Sequence, residues 1–220
     1  MATLKKTLEQ LRSDIQIRLG FGGAGSAAVV NTPVIDSFIR SAQEQLYSQF
    51  EWRELITYED VETGIDQVLY DYPADCNIER VLEVWILFGS TWYPVTEGIT
   101  MNMRSDTTSG RPRRFERFEQ MEVWPPADVA YTMRTYYVKA LPALVSDSDR
   151  VVIDSELVFL HALTNAKLHY RQPDAQAYSG QLDTLLNRLR AKNRPDTPIR
   201  RDACLGVWEF QSPPRVVGRD

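Results

Sequence analysis

Cysteine and histidine are scarce in this chain of 220 residues, with two of each. Cys76 and Cys204 are too few for a disulfide framework and too far apart for a C-x-x-C metal or redox motif, so both read as free thiols. His161 and His169 would sit about 12 Å apart along one helix, at 1.5 Å per residue, too far to ligate one metal together. They read as packing or surface histidines, and no metal or cofactor site is expected. No Gly-x-Ser-x-Gly or cysteine-nucleophile signature marks a catalytic residue. Long apolar runs are absent too: none approaches the roughly eighteen residues of a membrane span, and the N-terminus leads into an amphipathic segment rather than a secretory leader. These absences point to a protein made and kept in cytosol, away from membranes. Basic charge is also in short supply. The net charge of −5 argues against a protein whose main task is gripping phosphate backbone. The deficit is uneven, because residues 188–220 hold eight of the 25 basic residues and four of the 30 acidic ones. An acidic body therefore carries a net-basic tail, the kind of segment that finds a partner surface.

What is present is ordinary globular material, 43% apolar, arranged with two periodicities. Leu4, Leu8, Leu11, Ile15 and Leu19 recur at helical spacing, with Thr3 or Thr7 as cap, Gln10 three residues after Thr7, and Gly20 just past the end. After a glycine-rich linker, Thr32 and Pro33 predict the start of a second helix whose buried stripe is Ile35, Phe38, Ile39, Ala42, Leu46 and Phe50. From Trp52 the period shortens to two. Leu55 to Val61 and Gln67 to Tyr72 predict a hairpin, Val81 to Phe88 and Trp92 to Thr96 a second, and Arg113 to Phe118 with Met121 to Trp124 a third antiparallel pair. Gly98 to Arg114 reads as a short helix plus exposed loop. Met121 to Trp124 and Tyr131 to Val138 flank Pro125, Pro126, Ala127 and Asp128, whose turn chemistry predicts a further hairpin. Helical spacing then returns: Asp154 caps a helix carrying Leu157, Leu160, Leu163 and Leu168, Pro173 ends it, and Asp174 starts another with Tyr178, Leu182, Leu185, Leu186 and Leu189.

The expected fold is α+β, a four-helix bundle of two N-terminal and two C-terminal helices (residues 1–51 plus 154–193). An antiparallel β-sandwich or barrel is inserted at 52–153, and an extended tail covers 194–220. The tail has four prolines and a small apolar cluster, Leu205, Val207, Trp208 and Phe210, which is too little for a core of its own and is expected to dock.

Three motifs invite chemistry. Gly20 to Ser26 is glycine-rich, but a helix precedes it and no lysine follows, so it is a flexible connection and not a phosphate loop. Glu116, Glu119 and Glu122 fall near one another, as the acid pair of a cell-wall hydrolase would, but among 30 acidic residues chance supplies such neighbours and a solvated face is the preferred reading. Arg111, Arg113, Arg114 and Arg117 interleave with Phe115 and Phe118, the composition of a single-stranded nucleic-acid platform. It is also that of a strand with a basic outward and aromatic inward face, or of a contact between subunits.

Two helices, a β insertion with a Pro-Ala-Asp turn at 73–75, the Trp-Pro-Pro-Ala-Asp stretch at 124–128, the Tyr136-Tyr137 strand, an exit at Pro142 and Leu144, and two closing helices form a layout. It resembles the head-to-tail adaptor (connector or neck) proteins of tailed bacteriophages, most of all the tail tubular protein A type of short-tailed phages. The resemblance extends to about Lys192. It implies a structural virion protein of the neck with no catalytic role, present in host cytoplasm before assembly. It implies a homo-oligomeric ring, typically twelve-fold, between the portal protein and the tail nozzle or tube protein, through which DNA passes without specific binding. It also implies that the tail docks on the portal, with Arg200, Arg201, Leu205, Val207, Trp208 and Phe210 as contacts. The cluster Arg111, Arg113, Arg114 and Arg117 is then left for inter-subunit or channel contacts. A phage tail-associated hydrolase and a nucleic-acid-binding module are the alternatives.

Overall fold

The computed structural model describes residues 5–21 and 26–192. The chain opens with α1 (Leu8–Leu19) and α2 (Ser26–Gln49). Seven strands follow, β1 (Ile56–Glu62), β2 (Leu69–Tyr70), β3 (Cys76–Phe88), β4 (Thr91–Glu97), β5 (Arg114–Arg117), β6 (Met121–Trp124) and β7 (Thr132–Lys139). One turn of helix, α3 (Met101–Arg104), lies between β4 and β5, and α4 (Ser155–His169) and α5 (Ala175–Lys192) close the described chain. The class is α+β with five helices among the described residues.

Local sequence signals set most helix ends. Thr7 and Gln10 form a reciprocal capping box that satisfies two N–H groups at the start of α1, and Gly20, at φ 84°, adopts the left-handed conformation that ends it. Asp154 accepts from the N–H groups of Glu156 and Leu157 and so caps α4. α2 departs from expectation: it begins at Ser26, so Pro33 lies inside the helix instead of in its first turn. The helix proceeds through a position with no N–H to donate. Leu168 also departs, being 59% exposed. It stands five residues after buried Leu163, off the stripe that a 3.6-residue period keeps inward.

The apolar stripes of α1, α2, α4 and α5 meet in one core through Leu8, Leu11, Ile15, Ile35, Ile39, Leu46, Leu163 and Leu182. The segment before α1 is zipped to the chain returning from the sheet. Leu8 N donates to Asp149 O at 2.8 Å, Val151 N to Lys6 O at 3.3 Å, and Arg12 makes a two-pronged ion pair with Asp36 of α2 while also reaching Asp147.

The strands form a single seven-stranded sheet in the order β1-β7-β3-β4-β5-β6-β2. This corrects the antiparallel sandwich or barrel: β4 and β5 run parallel, pairing Thr96 with Arg114 and Glu97 with Phe115. A parallel pair needs a long crossover, and residues 98–113, including α3, supply it. The predicted β3–β4 hairpin forms, closed by the pair Phe88 and Thr91, as does the β5–β6 pair. The other two hairpins do not form. β1 pairs with β7 and β2 with β6, and β6 and β7 are not neighbours. The residues between the last two bond elsewhere: Pro126 O accepts from Gly110 N at 2.8 Å, Ala127 O from Asp66 N at 2.9 Å, and Tyr131 exchanges two bonds with Thr63.

The two edge strands, β1 and β2, are consecutive in the chain and separated by six residues, 63–68. A flat seven-stranded sheet would hold its edges roughly 29 Å apart, at 4.8 Å per strand. Six residues reach at most roughly 25 Å when fully extended. The sheet is therefore curled into a half-barrel, and its concave side fills with a second core of Val84, Ile86, Val95, Phe115, Val123 and Met133.

Candidate functional site

The two turn motifs act as anchors of the curled sheet. Asp75 accepts from the Tyr137 hydroxyl at 2.6 Å and from Lys139 at 2.9 Å, while its carbonyl accepts from Ala140 N at 2.7 Å. The hydrogen bond from Tyr137, followed by that from Lys139, holds the Asp75 carboxyl below its usual range, and burial with Asp75 beside it pushes the Tyr137 phenol up. In the second motif Ala127 is fully buried, and Asp128 accepts from the Tyr131 hydroxyl at 2.6 Å. Both motifs bind strand ends together, which is structural work.

The four clustered arginines separate into two kinds. Arg117 is clamped by both oxygens of Glu97 at 2.6 and 3.0 Å and also donates to Glu79 O. Arg111 lies over the Tyr93 ring, 4.0 Å from its centroid, and 5.7 Å from that of Phe88. Arg113 is exposed and Arg114 half-buried, and no ion pair or side-chain hydrogen bond forms at either among the described residues. Phe115 is buried in the concave core, so it cannot stack on a base, whereas Phe118 is exposed beneath Arg104. A stacking platform needs both rings free, and the cluster offers one.

The acidic trio is likewise committed. Glu116 accepts from Ile99 N at 2.9 Å, and Glu122, directly opposite on β6, takes three hydrogen bonds from Arg104. Glu119 is exposed at the turn between them. Each strand carboxylate thus completes a loop or a helix end, which is not the arrangement of an acid and a base facing a substrate cleft.

The histidines pack. His169 meets Phe38 and Tyr170 edge-on at 5.5 and 5.0 Å, and His161, whose pKa burial lowers, lies beside Asn165. Among the described residues no group of three acidic, histidine or cysteine side chains is placed to hold a metal, and no helix is long and apolar enough to cross a membrane. Burial, with Asp75 and Glu59 nearby, pushes the Cys76 thiol up to about 11. Cys204 and the tail residues Arg200, Arg201, Leu205, Val207, Trp208 and Phe210 lie outside the described residues.

Sequence reasoning missed the convex face of the sheet. Arg134 of β7 donates to both oxygens of Asp60 at 2.7 Å, and its guanidinium lies 4.2 Å from the Tyr58 ring and 4.5 Å from that of Trp92. Tyr58 also meets Tyr136 at 5.3 Å. The available signal was the alternation of β7, in which Met133, Thr135 and Tyr137 are buried and Thr132, Arg134 and Tyr136 are not.

A family model described as SU10 adaptor protein matches residues 6–202 of the chain. No curated protein matches it.

Proposed function

The chain belongs to the SU10 adaptor protein family, a phage head-to-tail adaptor family of structural proteins and not of enzymes, and on that premise we propose that it forms the ring joining the capsid portal to the tail. The ring is twelve-fold, carries the portal protein on one side and the tail nozzle or tube protein on the other, and continues the channel through which DNA leaves the head. The observation that carries this reading is the family match, which takes in both turn motifs that staple the curled sheet. Charge supports it: a chain with net charge −5, whose acidic excess lies in the body, repels phosphate and lets DNA pass. The helical core and the inserted sheet act as two working parts, residues 1–51 with 154–193 and residues 52–153. The tail from residue 194 docks on the portal through Arg200 and Arg201 as charge contacts and Trp208 and Phe210 as anchors, residue types enriched at binding hot spots.

The test is the mass of the full chain by native mass spectrometry, alone and after mixing with portal rings of the same phage. A ring stoichiometric with the portal is expected. Truncation after Asn193 should leave a folded chain that no longer joins the portal, and normal joining by that form would remove the tail from the contact. A chain that ignores the portal would end the adaptor reading.

A further inference from the structure

The convex face of β1, β7, β3 and β4 carries rows of large side chains that the fold leaves exposed or half-buried. The helical core covers one end of that face, against Ile56, Leu82 and Val138. Past that end come the cross-strand rows Tyr58 with Tyr136, Asp60 with Arg134 and Trp85, and Glu62 with Thr132, Leu87 and Trp92. Tyr58 is 51% exposed. Arg134 is already fixed between two rings and neutralised by Asp60, so docking against it immobilises little that is not immobile already. Aromatic residues and an ordered arginine, with no lysine in these rows, are the make-up of a protein contact. The rows remain acidic, since Glu62 and Glu83 join Asp60 against the one cation.

The other flank of the same sheet carries cations without partners, while its carboxylates Glu116 and Glu122 are already engaged by Ile99 N and Arg104. Phe115 of β5 points into the concave core, so Arg114 beside it stands on the convex side opposite Trp124, and Arg113 precedes it. These are the two arginines of the cluster that the chain leaves with neither an ion pair nor a ring contact among its described residues. Because the sheet is curled until six residues span its edges, the convex surfaces of the two flanks face different ways. A ring of identical subunits needs that arrangement: a head-to-tail contact joins two different, complementary patches of one chain, turned away from each other.

We propose that the acidic aromatic patch around Tyr58, Glu62, Trp92 and Arg134 of one subunit receives the Arg113 and Arg114 flank of the next. The inference rests on the ring reading and names its contact. Opposite charge steers the approach and rejects like-to-like pairing, and the fixed aromatic rows supply the area.

The test compares three full-length variants with the unaltered chain: Glu62→Arg with Glu83→Arg, Arg113→Glu with Arg114→Glu, and all four together. Ring formation on portal rings, and without them, is followed by native mass spectrometry over a concentration series, with thermal melts to check folding. Each charge-reversed pair should raise the concentration needed for assembly at least about tenfold, and the fourfold variant should return to within about threefold of the unaltered chain. Recovery of that kind cannot come from a folding fault. If both pairs assemble normally, or the fourfold variant does not recover, the contact is overturned while the ring stands. If the unaltered chain forms no ring under either condition, the ring reading falls first and this contact with it.

Discussion

Arg12 shows how much one side chain can hold in this molecule. It lies on α1, ion-paired through two bonds to Asp36 of α2 and through a third to Asp147 of the returning chain, with side-chain exposures of 15% for Arg12 and 11% for Asp36. Three chain segments far apart in sequence thereby share one charge network. A pair this sheltered gains little over a well-packed apolar pair, but breaking it leaves a charge without compensation. Arg12→Ala is expected to destabilise the fold by about 3 kcal/mol, read as a shifted urea midpoint at unchanged slope. Replacing both partners, Arg12→Met with Asp36→Leu, should recover most of that loss. If the double variant were no better than Arg12→Ala, the loss would lie in the bonds that Arg12 makes to Asp36 and Asp147 and not in a stranded Asp36 carboxylate.

At the scale of elements, α2 offers the sharpest test. Pro33 is the eighth residue of a 24-residue helix and is exposed, so it removes a helical hydrogen bond without contributing burial. Pro33→Ala should therefore stabilise the protein by about 1 to 3 kcal/mol, measured by chemical denaturation. A loss of stability would instead be the signature of a helix capped by Thr32 that uses Pro33 in its first turn, as the local sequence suggests. That contrast shows what the sequence can say. Features set within a few residues were legible: the Thr7 and Gln10 box, the Gly20 and Asp154 caps, and the two-residue turn that closes β3 on β4. Pairings decided at a distance were not. Nothing near Pro126 or Ala127 tells that their carbonyls are taken by Gly110 and Asp66, and that commitment is what keeps β6 and β7 apart. The site follows the same division. The arginine cluster was visible as composition, but the difference between Arg117, held by Glu97 twenty residues away, and its unpaired neighbours Arg113 and Arg114 comes from the parallel β4–β5 pairing.

At the scale of the whole molecule an acidic body carries a net-basic tail, the segment proposed to dock on the portal. The family match ends at residue 202, within that segment, and divides the proposed contacts into two sets. Arg200 and Arg201 lie inside the match; Leu205, Val207, Trp208 and Phe210 lie beyond it. Charge contacts at an exposed rim set approach and salt dependence, whereas buried aromatic anchors set residence time. The two sets should therefore separate when the chain is cut between them. A form ending at Asp202 keeps the arginines and loses the anchors, so its affinity for portal rings should fall at least about thirtyfold, the equivalent of one strong hot spot at roughly 2 kcal/mol. Its association rate at low salt should stay near that of the full chain, and the loss should appear in dissociation. Surface-immobilised portal rings, with binding followed at two salt concentrations, read both rates. If the Asp202 form dissociates as slowly as the full chain, the anchors are not at Trp208 and Phe210. The contact then lies at or before Arg201, inside the stretch shared with the family.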